Sequence, residues 1–268
     1  MSQIERAARW AATGKRADRL SRIVELVSTR GEVRGAELAD ELNVSSATLR
    51  RDLADLEEQG LLARSHGGAR SLDPTTEISV LLRDAQSRDA KARIADYAAG
   101  LLPESRHGVA MNGGTTTAAV ARALARRGDL TIITNSLTTA TALASSSTVK
   151  VIMTGGHVRS SSLEAVGALA ERTFAAINVG TAFLGIDGIS VRGGATTHDE
   201  TEARTNTVML ERAERVVVVA DGSKIGRTML AKMADLHHVH DLVTDATADA
   251  DDLAGIRAAG VQVHVVED

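Results

Sequence analysis

The chain has 268 residues, a net charge of −4, 43% hydrophobic and 25% charged residues, and no cysteine. That length accommodates two domains with a sizeable core, and the missing cysteines exclude disulfides and thiolate metal sites and fit a reducing compartment. The aromatic side chains are Trp10, Tyr97, Phe174 and Phe183 alone, too few for a stacking platform for single-stranded nucleic acid, and no apolar run approaches membrane-spanning length.

Charge divides unevenly along the chain. Residues 1–71 hold 12 Lys/Arg and 11 Asp/Glu, a net of +1, and the remainder nets −5. The opening residues carry no long apolar segment, so a cytoplasmic protein is expected. Residues 1–18, with Arg6, Arg9, Lys15 and Arg16, read as an N-terminal extension: a frayed tail, a basic arm or a short extra helix. From residue 19 a compact pattern begins. Leu20, Ile23, Val24 and Val27 recur at helical spacing, and Ala36, Leu38, Ala39 and Leu42 mark a second, short helix. Asn43-Val44 turns the chain into a third helix, which Ser45 is placed to cap. Leu49, Leu53 and Leu56 form its buried stripe. Ala47, Arg51, Ala54 and Glu58 fall on the other face, flanked by Thr48 and Arg50. Cations and small residues thus gather at the N-terminal end and acids at the C-terminal end. A helix entering the DNA major groove by its first turns needs that order: arginines meet phosphate or guanine edges, and small residues allow close approach. Gly60 ends the helix, and Arg64, His66, Gly67, Gly68 and Arg70 outline a hairpin with cations on its arms.

An Arg-Arg pair by itself is better read as a solvated amphipathic helix. The order helix, short helix, turn, helix, hairpin favours a winged helix-turn-helix over residues 19–71. GAELADELN (Gly35 to Asn43), VSSATLRRDL (Val44 to Leu53) and GLLARSHGGAR (Gly60 to Arg70) together resemble the DeoR family of bacterial transcriptional regulators. DNA contact is expected from Ser45, Ser46, Ala47, Thr48, Arg50 and Arg51, and from Arg64, His66 and Arg70 on the wing.

Leu72 to Ser79, which contains Pro74, reads as a linker. A helix is expected from about Val80 to Leu101. Strand, glycine-rich loop and helix then alternate through residue 268. Strands are expected at Gly108–Met111, Leu130–Thr134, Val149–Met153, Thr181–Gly185, Arg215–Ala220, Leu242–Thr244 and Val261–Val266. Helices are expected at Thr116–Arg126, Leu137–Ala144, Gly167–Ala176, Glu200–Arg212 and Asp251–Ala259. The alternation predicts a doubly wound, largely parallel α/β domain over 80–268, with its ligand in the loops at the C-terminal strand ends.

Those loops are polar. Asn112, Gly113, Gly114, Thr115, Thr116 and Thr117 combine backbone N–H groups, hydroxyls and a helix N-terminus, the ingredients of an anion site, although a tight strand-to-helix turn would look similar. Thr134-Asn135-Ser136, Gly155 to Arg159, Gly185 to Gly188 and Asp221 to Lys224 occupy the same place after later strands. Five such loops point to a small polyol or sugar site with an anionic group, for which Lys224 is a natural partner.

NGGTTT, TIITNS, MTGGHVR, GIDGI and ADGSK, in that order, resemble the effector domain of the DeoR family, which is similar in fold to ribose-5-phosphate isomerase and glucosamine-6-phosphate deaminase. The resemblance implies that Gly113 to Thr117 and Lys224 hold phosphate, and that Asn135, Arg159, Asp187 and Asn206 line the polyol. It also implies a homo-oligomer. The chain departs from the family at Asn112, where members often carry Asp; an amide is neither a base nor a charged ligand. His237, His238 and His240 are weak metal candidates, since alternation on a strand gives only His238 and His240 a common face. His198-Asp199-Glu200 reads as a helix start.

Two functions remain. The first is a DNA-binding regulator, a repressor of carbohydrate-metabolism genes released from its operator by a phosphorylated sugar, without cofactor or membrane partner. The alternative is a sugar-phosphate isomerase or amino-sugar-phosphate deaminase with an appended DNA-binding domain. It would use Asp187 as base and Lys224 as electrostatic partner, and it is opposed by the lack of a second carboxylate in the loops. The near-neutral N-terminal domain argues against an architectural DNA binder.

Overall fold

The computed structural model describes residues 14–58, 61–65, 67–71, 77, 80–83, 87–144 and 146–267. The chain divides into two compact units, Met1–Gln86 and Ser87–Asp268. The expectations for residues 1–13, Gly60, His66 and most of the linker, Pro74 included, lie outside the described residues.

In the first unit α1 (Gly14–Arg30), β1 (Glu32–Arg34), α2 (Gly35–Glu41), α3 (Ser46–Glu58), β2 (Ala63–Ser65) and β3 (Gly68–Arg70) follow one another. Leu20, Ile23, Val24 and Val27 of α1 are buried with Leu38 of α2 and Leu49, Leu53 and Leu56 of α3. The apolar stripes expected from helical spacing are therefore the core. Ser45 caps α3, its hydroxyl accepting from the Thr48 N–H at 3.2 Å. The wing is a three-stranded antiparallel sheet in the order β1-β3-β2. Sequence alternation does not reveal β1, because three residues are too few to show a period. Glycine is required at 68, where a Cβ would run into the Val33 carbonyl, and Gly67 at the hairpin tip has φ +91°.

An ionic contact ties α3 to α1. Asp52 is 2% exposed, and its carboxylate accepts from Arg19 Nε at 2.7 Å and Arg16 Nε at 3.4 Å; Arg16 also pairs with Asp55. The RRDL stretch therefore divides its charges, with Arg50 and Arg51 exposed and Asp52 turned inward.

Where one helix is expected from Val80 to Leu101, the described residues give α4 (Val80–Arg83) and α5 (Arg88–Gly100). The correction has a local cause: Ser87, just before α5, has φ +49°, which no right-handed helix accepts.

The second unit continues with β4 (His107–Met111), α6 (Thr115–Leu124), β5 (Leu130–Thr134), α7 (Leu137–Leu143), β6 (Lys150–Met153), β7 (His157–Arg159), β8 (Glu164–Val166), α8 (Ala168–Ala175), β9 (Val179–Gly185), β10 (Gly188–Ser190), β11 (Gly194–Thr197), α9 (Glu200–Leu210), β12 (Ala213–Val219), β13 (Ala231–Ala234), β14 (Asp241–Asp245), α10 (Ala250–Ala258) and β15 (Gln262–Val266). All seven expected strands join one parallel sheet in the order β15-β14-β12-β9-β4-β5-β6. Side chains divide by period two. Ala110, Ile133, Ala182, Leu184, Val216 and Val218 face one core with α8, α9 and α10, while Val109, Met111, Ile132, Phe183, Val217 and Val219 face the other with α5, α6 and α7. Two additions were not expected from sequence: a β7-β8 hairpin, and a small sheet in the order β10-β11-β13. The histidines also differ from expectation. Leu236–His238 is a 3-10 turn, not a strand, and His240 Nδ1 accepts the Val216 N–H at 3.0 Å.

From β4 the chain moves outward through β5 and β6, and from β9 it moves the other way through β12, β14 and β15. The strand order thus reverses between β4 and β9, and the crevice beyond their C-terminal ends is where such sheets bind ligands.

Replacing Asp52 by Ala should lower the stability of the first unit by about 1–3 kcal/mol, because two arginines lose a buried acceptor. Urea unfolding followed by far-ultraviolet circular dichroism measures this. An unchanged midpoint would mean that the pair does not hold α3 in place.

Candidate functional site

Two places collect polar side chains. The first is the outer face of α3 and its wing. Ser45, Ser46 and Ala47 are exposed, Thr48 is half-buried, and Arg50, Arg51, Arg64 and Arg70 are exposed. Thr48 Oγ1 shares a 2.9 Å hydrogen bond with Ser45 Oγ. Arg64 sits in β2, and its backbone N–H donates to Glu57 Oε1 at 3.0 Å, which fastens the wing to the last turns of α3. Among the described residues Arg50, Arg51 and Arg70 form no ion pair. His66 lies outside them.

The second place is the β4–β9 crevice. Asn112 follows β4, and its side-chain amide pairs with the end of β9. Nδ2 donates to the Gly185 carbonyl at 3.0 Å, and Oδ1 accepts the Gly185 N–H at 2.7 Å. The next residue, Gly113, gives its N–H to Glu164 Oε1 at 2.5 Å, and a Cβ at position 113 would collide with that carboxyl. Gly114 precedes α6 with φ +122° and supplies no side-chain cap. Thr115 is half-buried, Thr116 and Thr117 are buried, and Thr117 Oγ1 donates to the Gly114 carbonyl at 3.0 Å.

Glu164, on β8, is 1% exposed and is surrounded by predicted site residues. Asn135 Nδ2 donates to its Oε2 at 3.1 Å and Asn206 Nδ2 at 3.4 Å. Burial drives the Glu164 carboxyl well above the usual carboxylate range, and the nearby charge of Glu202 pushes the same way against those N–H donors. Ser136 serves the helix beside them, its hydroxyl capping α7 through the Thr139 N–H at 3.2 Å.

Glu202, 5% exposed on α9, and Asp187, 6% exposed after β9, meet at Thr197. The Thr197 hydroxyl lies 2.7 Å from Glu202 Oε1 and 3.0 Å from Asp187 Oδ2. A hydroxyl owns one hydrogen. Both contacts are therefore hydrogen bonds only when one of the two carboxyls is itself protonated. Burial raises the Glu202 carboxyl; the Thr197 hydrogen bond opposes this and the charge of Asp187 adds to it. Arg159 is placed against these acids, with NH1 2.8 Å from Glu202 Oε2 and Nε 3.3 Å from Asp199 Oδ2. Asp199 also caps α9 through the Glu202 N–H at 2.8 Å, as its position before Glu200 suggested.

The loops were expected to hold no second carboxylate; the acids that join the site, Glu202 and Glu164, come from α9 and β8 instead. Sequence reasoning missed both. Glu202 stands four residues before Asn206, hence on the same helical face, and Glu164 is a lone acid beside Leu163, Ala165 and Val166. Lys224 is half-buried and ends a 3-10 turn after β12. Asp235, His237 and His238 are exposed and within mutual ligand reach, but Asp235 Oδ1 already takes Lys232 Nζ at 2.8 Å.

Among family models, one described as a DeoR-like helix-turn-helix domain matches residues 19–75, and one described as the DeoR C terminal sensor domain matches 86–246. The chain is 36% identical to the putative aga operon transcriptional repressor of Escherichia coli O157:H7, over 99% of both chains. It is 34% identical to the glycerol-3-phosphate regulon repressor of Escherichia coli K12, over 87% of this chain and 92% of that one. Ribose 5-phosphate isomerase A of Methanocaldococcus jannaschii, a solved structure, aligns at 16% identity over 54% of this chain and 56% of its own, with a TM-score of 0.40.

The buried acids give the second unit a pH dependence of fixed sign. A carboxyl whose pKa is higher folded than unfolded favours the fold while protonated. That contribution is full below the unfolded value and is lost as pH rises through the folded one. Stability should therefore fall as pH climbs above the ordinary glutamate range, by at most about 1.4 kcal/mol per pH unit for each such group. Glu164→Gln should flatten the slope, as read from denaturant midpoints between acid and neutral pH. A variant slope equal to the parent's would show that Glu164 is ionised throughout.

Proposed function

The chain belongs to the DeoR family of DNA-binding transcriptional regulators, and on that premise we propose that it represses carbohydrate-metabolism genes and leaves its operator when the second unit binds a phosphorylated sugar. The DNA half of this reading is carried by one observation, the division of charge on α3. Asp52 and Asp55 are drawn to arginines of α1, while Arg50 and Arg51 stand exposed without ionic partners among the described residues. The first turns of α3 enter the major groove, with Ser46, Ala47 and Thr48 close to the bases, and Arg64 and Arg70 hold phosphates from the wing. Two half-sites are read by a homo-oligomer, since one such helix spans only half an operator.

The effector half is supported by the β4–β9 crevice. The phosphate meets the start of α6, where Gly114 supplies no cap and Thr115 keeps a partly exposed side chain. Lys224 complements its charge. Asn135, Arg159, Asp187 and Asn206 belong to the sugar end. The relatives named for the aga operon and the glycerol-3-phosphate regulon fit a ligand of this class. For binding to release DNA, the ligand has to prefer the conformation with lower DNA affinity. No described helix is long and apolar enough to cross a membrane, and we place the protein in the cytoplasm with both ligands.

One observation favours the alternative reading, catalysis on the sugar phosphate: Asp187 and Glu202 meet at the Thr197 hydroxyl, two buried carboxyls in one site as acid–base chemistry uses. We favour a sensor, because the relatives are regulators. Turnover of ribose 5-phosphate or glucosamine 6-phosphate by the purified chain, lost in Asp187→Asn, would reverse that preference.

Arg51→Ala should weaken binding to the operator upstream of the chain's own gene by about 1–3 kcal/mol, leaving unrelated DNA little affected. Fluorescence anisotropy on the two duplexes at one salt concentration measures this, and equal affinities for parent and variant would take α3 out of the groove. In the same assay a panel of sugar phosphates should include one that releases the operator and that no longer does so in Lys224→Ala.

A further inference from the structure

We propose that Asp235, His237 and His238 form a site for a divalent transition metal of the zinc class, separate from the effector crevice. The three residues occupy the turn between β13 and β14. A strand would set Asp235 and His237 on one face and His238 on the other. The stretch Leu236–His238 is a 3-10 turn instead, in which residues three apart stand over one another. Asp235 and His238 therefore come to one side. The ring of His237 lies against that of His238, with centroids 3.9 Å apart. One carboxylate oxygen and one nitrogen from each ring lie within 4.8 Å of one another. Ligands at about 2.0 Å from a tetrahedral zinc are about 3.3 Å apart, so closing the site asks these exposed side chains to move by at most about 1.5 Å.

The backbone beneath them is fixed. Leu236 and Val239 are buried, and the His238 and Val239 N–H groups donate to the Asp235 and Leu236 carbonyls at 3.0 and 2.9 Å. The rings above are uncommitted. Among the described residues neither imidazole makes a side-chain hydrogen bond. The Asp235 carboxylate pairs with Lys232 through Oδ1 at 2.8 Å, with both side chains half exposed. An exposed pair of that kind contributes little, and a metal ion can displace it. Two imidazoles and a carboxylate suit zinc, copper or nickel, whereas magnesium and calcium prefer oxygen ligands alone. Three protein ligands leave one tetrahedral position to water. The turn leads into the N-terminal end of β14, while the crevice lies beyond the C-terminal ends of β4 and β9. Metal and sugar phosphate therefore share no ligand.

The test is titration of the metal-free, full-length chain with zinc chloride against a chromophoric chelator, with magnesium and calcium chloride in parallel. One zinc per chain should bind, and neither magnesium nor calcium should displace it. His237→Gln and His238→Gln should each weaken zinc by at least the roughly 10- to 100-fold that loss of an outer-shell partner costs. His157→Gln, which alters an exposed histidine elsewhere, should change nothing. Lys232→Met should tighten zinc by up to about fivefold, because the carboxylate no longer has to leave an ion pair. That variant moves the affinity in the opposite direction, so a histidine variant that does not fold leaves the test intact. Zinc should also raise the thermal midpoint of the parent. A parent that binds no zinc, or a folded His237→Gln/His238→Gln double variant that binds it as tightly as the parent, would overturn the assignment. So would magnesium displacing the zinc.

Discussion

Where β4 and β9 run side by side the sheet has no covalent continuity, because the chain leaves the two strands in opposite directions. One primary amide holds their ends together. Asn112 both donates to and accepts from Gly185, extending the strand pairing by one step made from a side chain. The loops beyond it inherit their positions from that step. Gly113 is fixed next to it and delivers its N–H to Glu164, and the start of α6 follows directly. An aspartate at 112 could accept from Gly185 but could not donate to it. Asn112 is thus the residue that completes the join.

The first unit shows the same economy with charge. A recognition helix needs cations on its outer face and needs its acids kept off the phosphates. Arg16 and Arg19 draw Asp52 and Asp55 towards α1, and Glu57 takes the Arg64 backbone N–H at the base of the wing. The acids that would oppose DNA are thereby used to build the scaffold that presents Arg50 and Arg51. A net charge of +1 over residues 1–71 conceals this separation, which becomes visible once each carboxylate is traced to its partner.

Much of this was legible in the residues. The core of the first unit follows from three helical stripes, and the parallel sheet from seven apolar runs set between helices. Periodicity fails where elements are short: β1, β7, β8, β10 and β11 have three or four residues each. Glu164 and Glu202 were hidden for another reason. They come from β8 and α9, far apart in sequence, and what makes them chemically unusual is burial beside another acid, a property of the folded arrangement. Asp187 was found because its loop is rich in glycine. Its partner was missed because Glu202 lies inside a helix, where acids are ordinarily solvated. Ser87 broke an expected helix by its backbone conformation alone, and serine does not announce that in sequence.

The amide that joins β4 to β9 precedes a glycine, and Asn-Gly is the dipeptide in which spontaneous deamidation is easiest, since the unhindered glycine nitrogen can attack the side-chain carbonyl carbon. In the fold neither reactant is at liberty. The Asn112 amide is bonded at both its atoms to Gly185, and the Gly113 N–H is committed to Glu164. The join therefore protects itself from chemical ageing for as long as it is closed. A chain that spends time unfolded loses that protection, and conversion to aspartate would remove the donor on which closure depends. The working lifetime of the protein is in this respect set by how seldom the ends of β4 and β9 come apart.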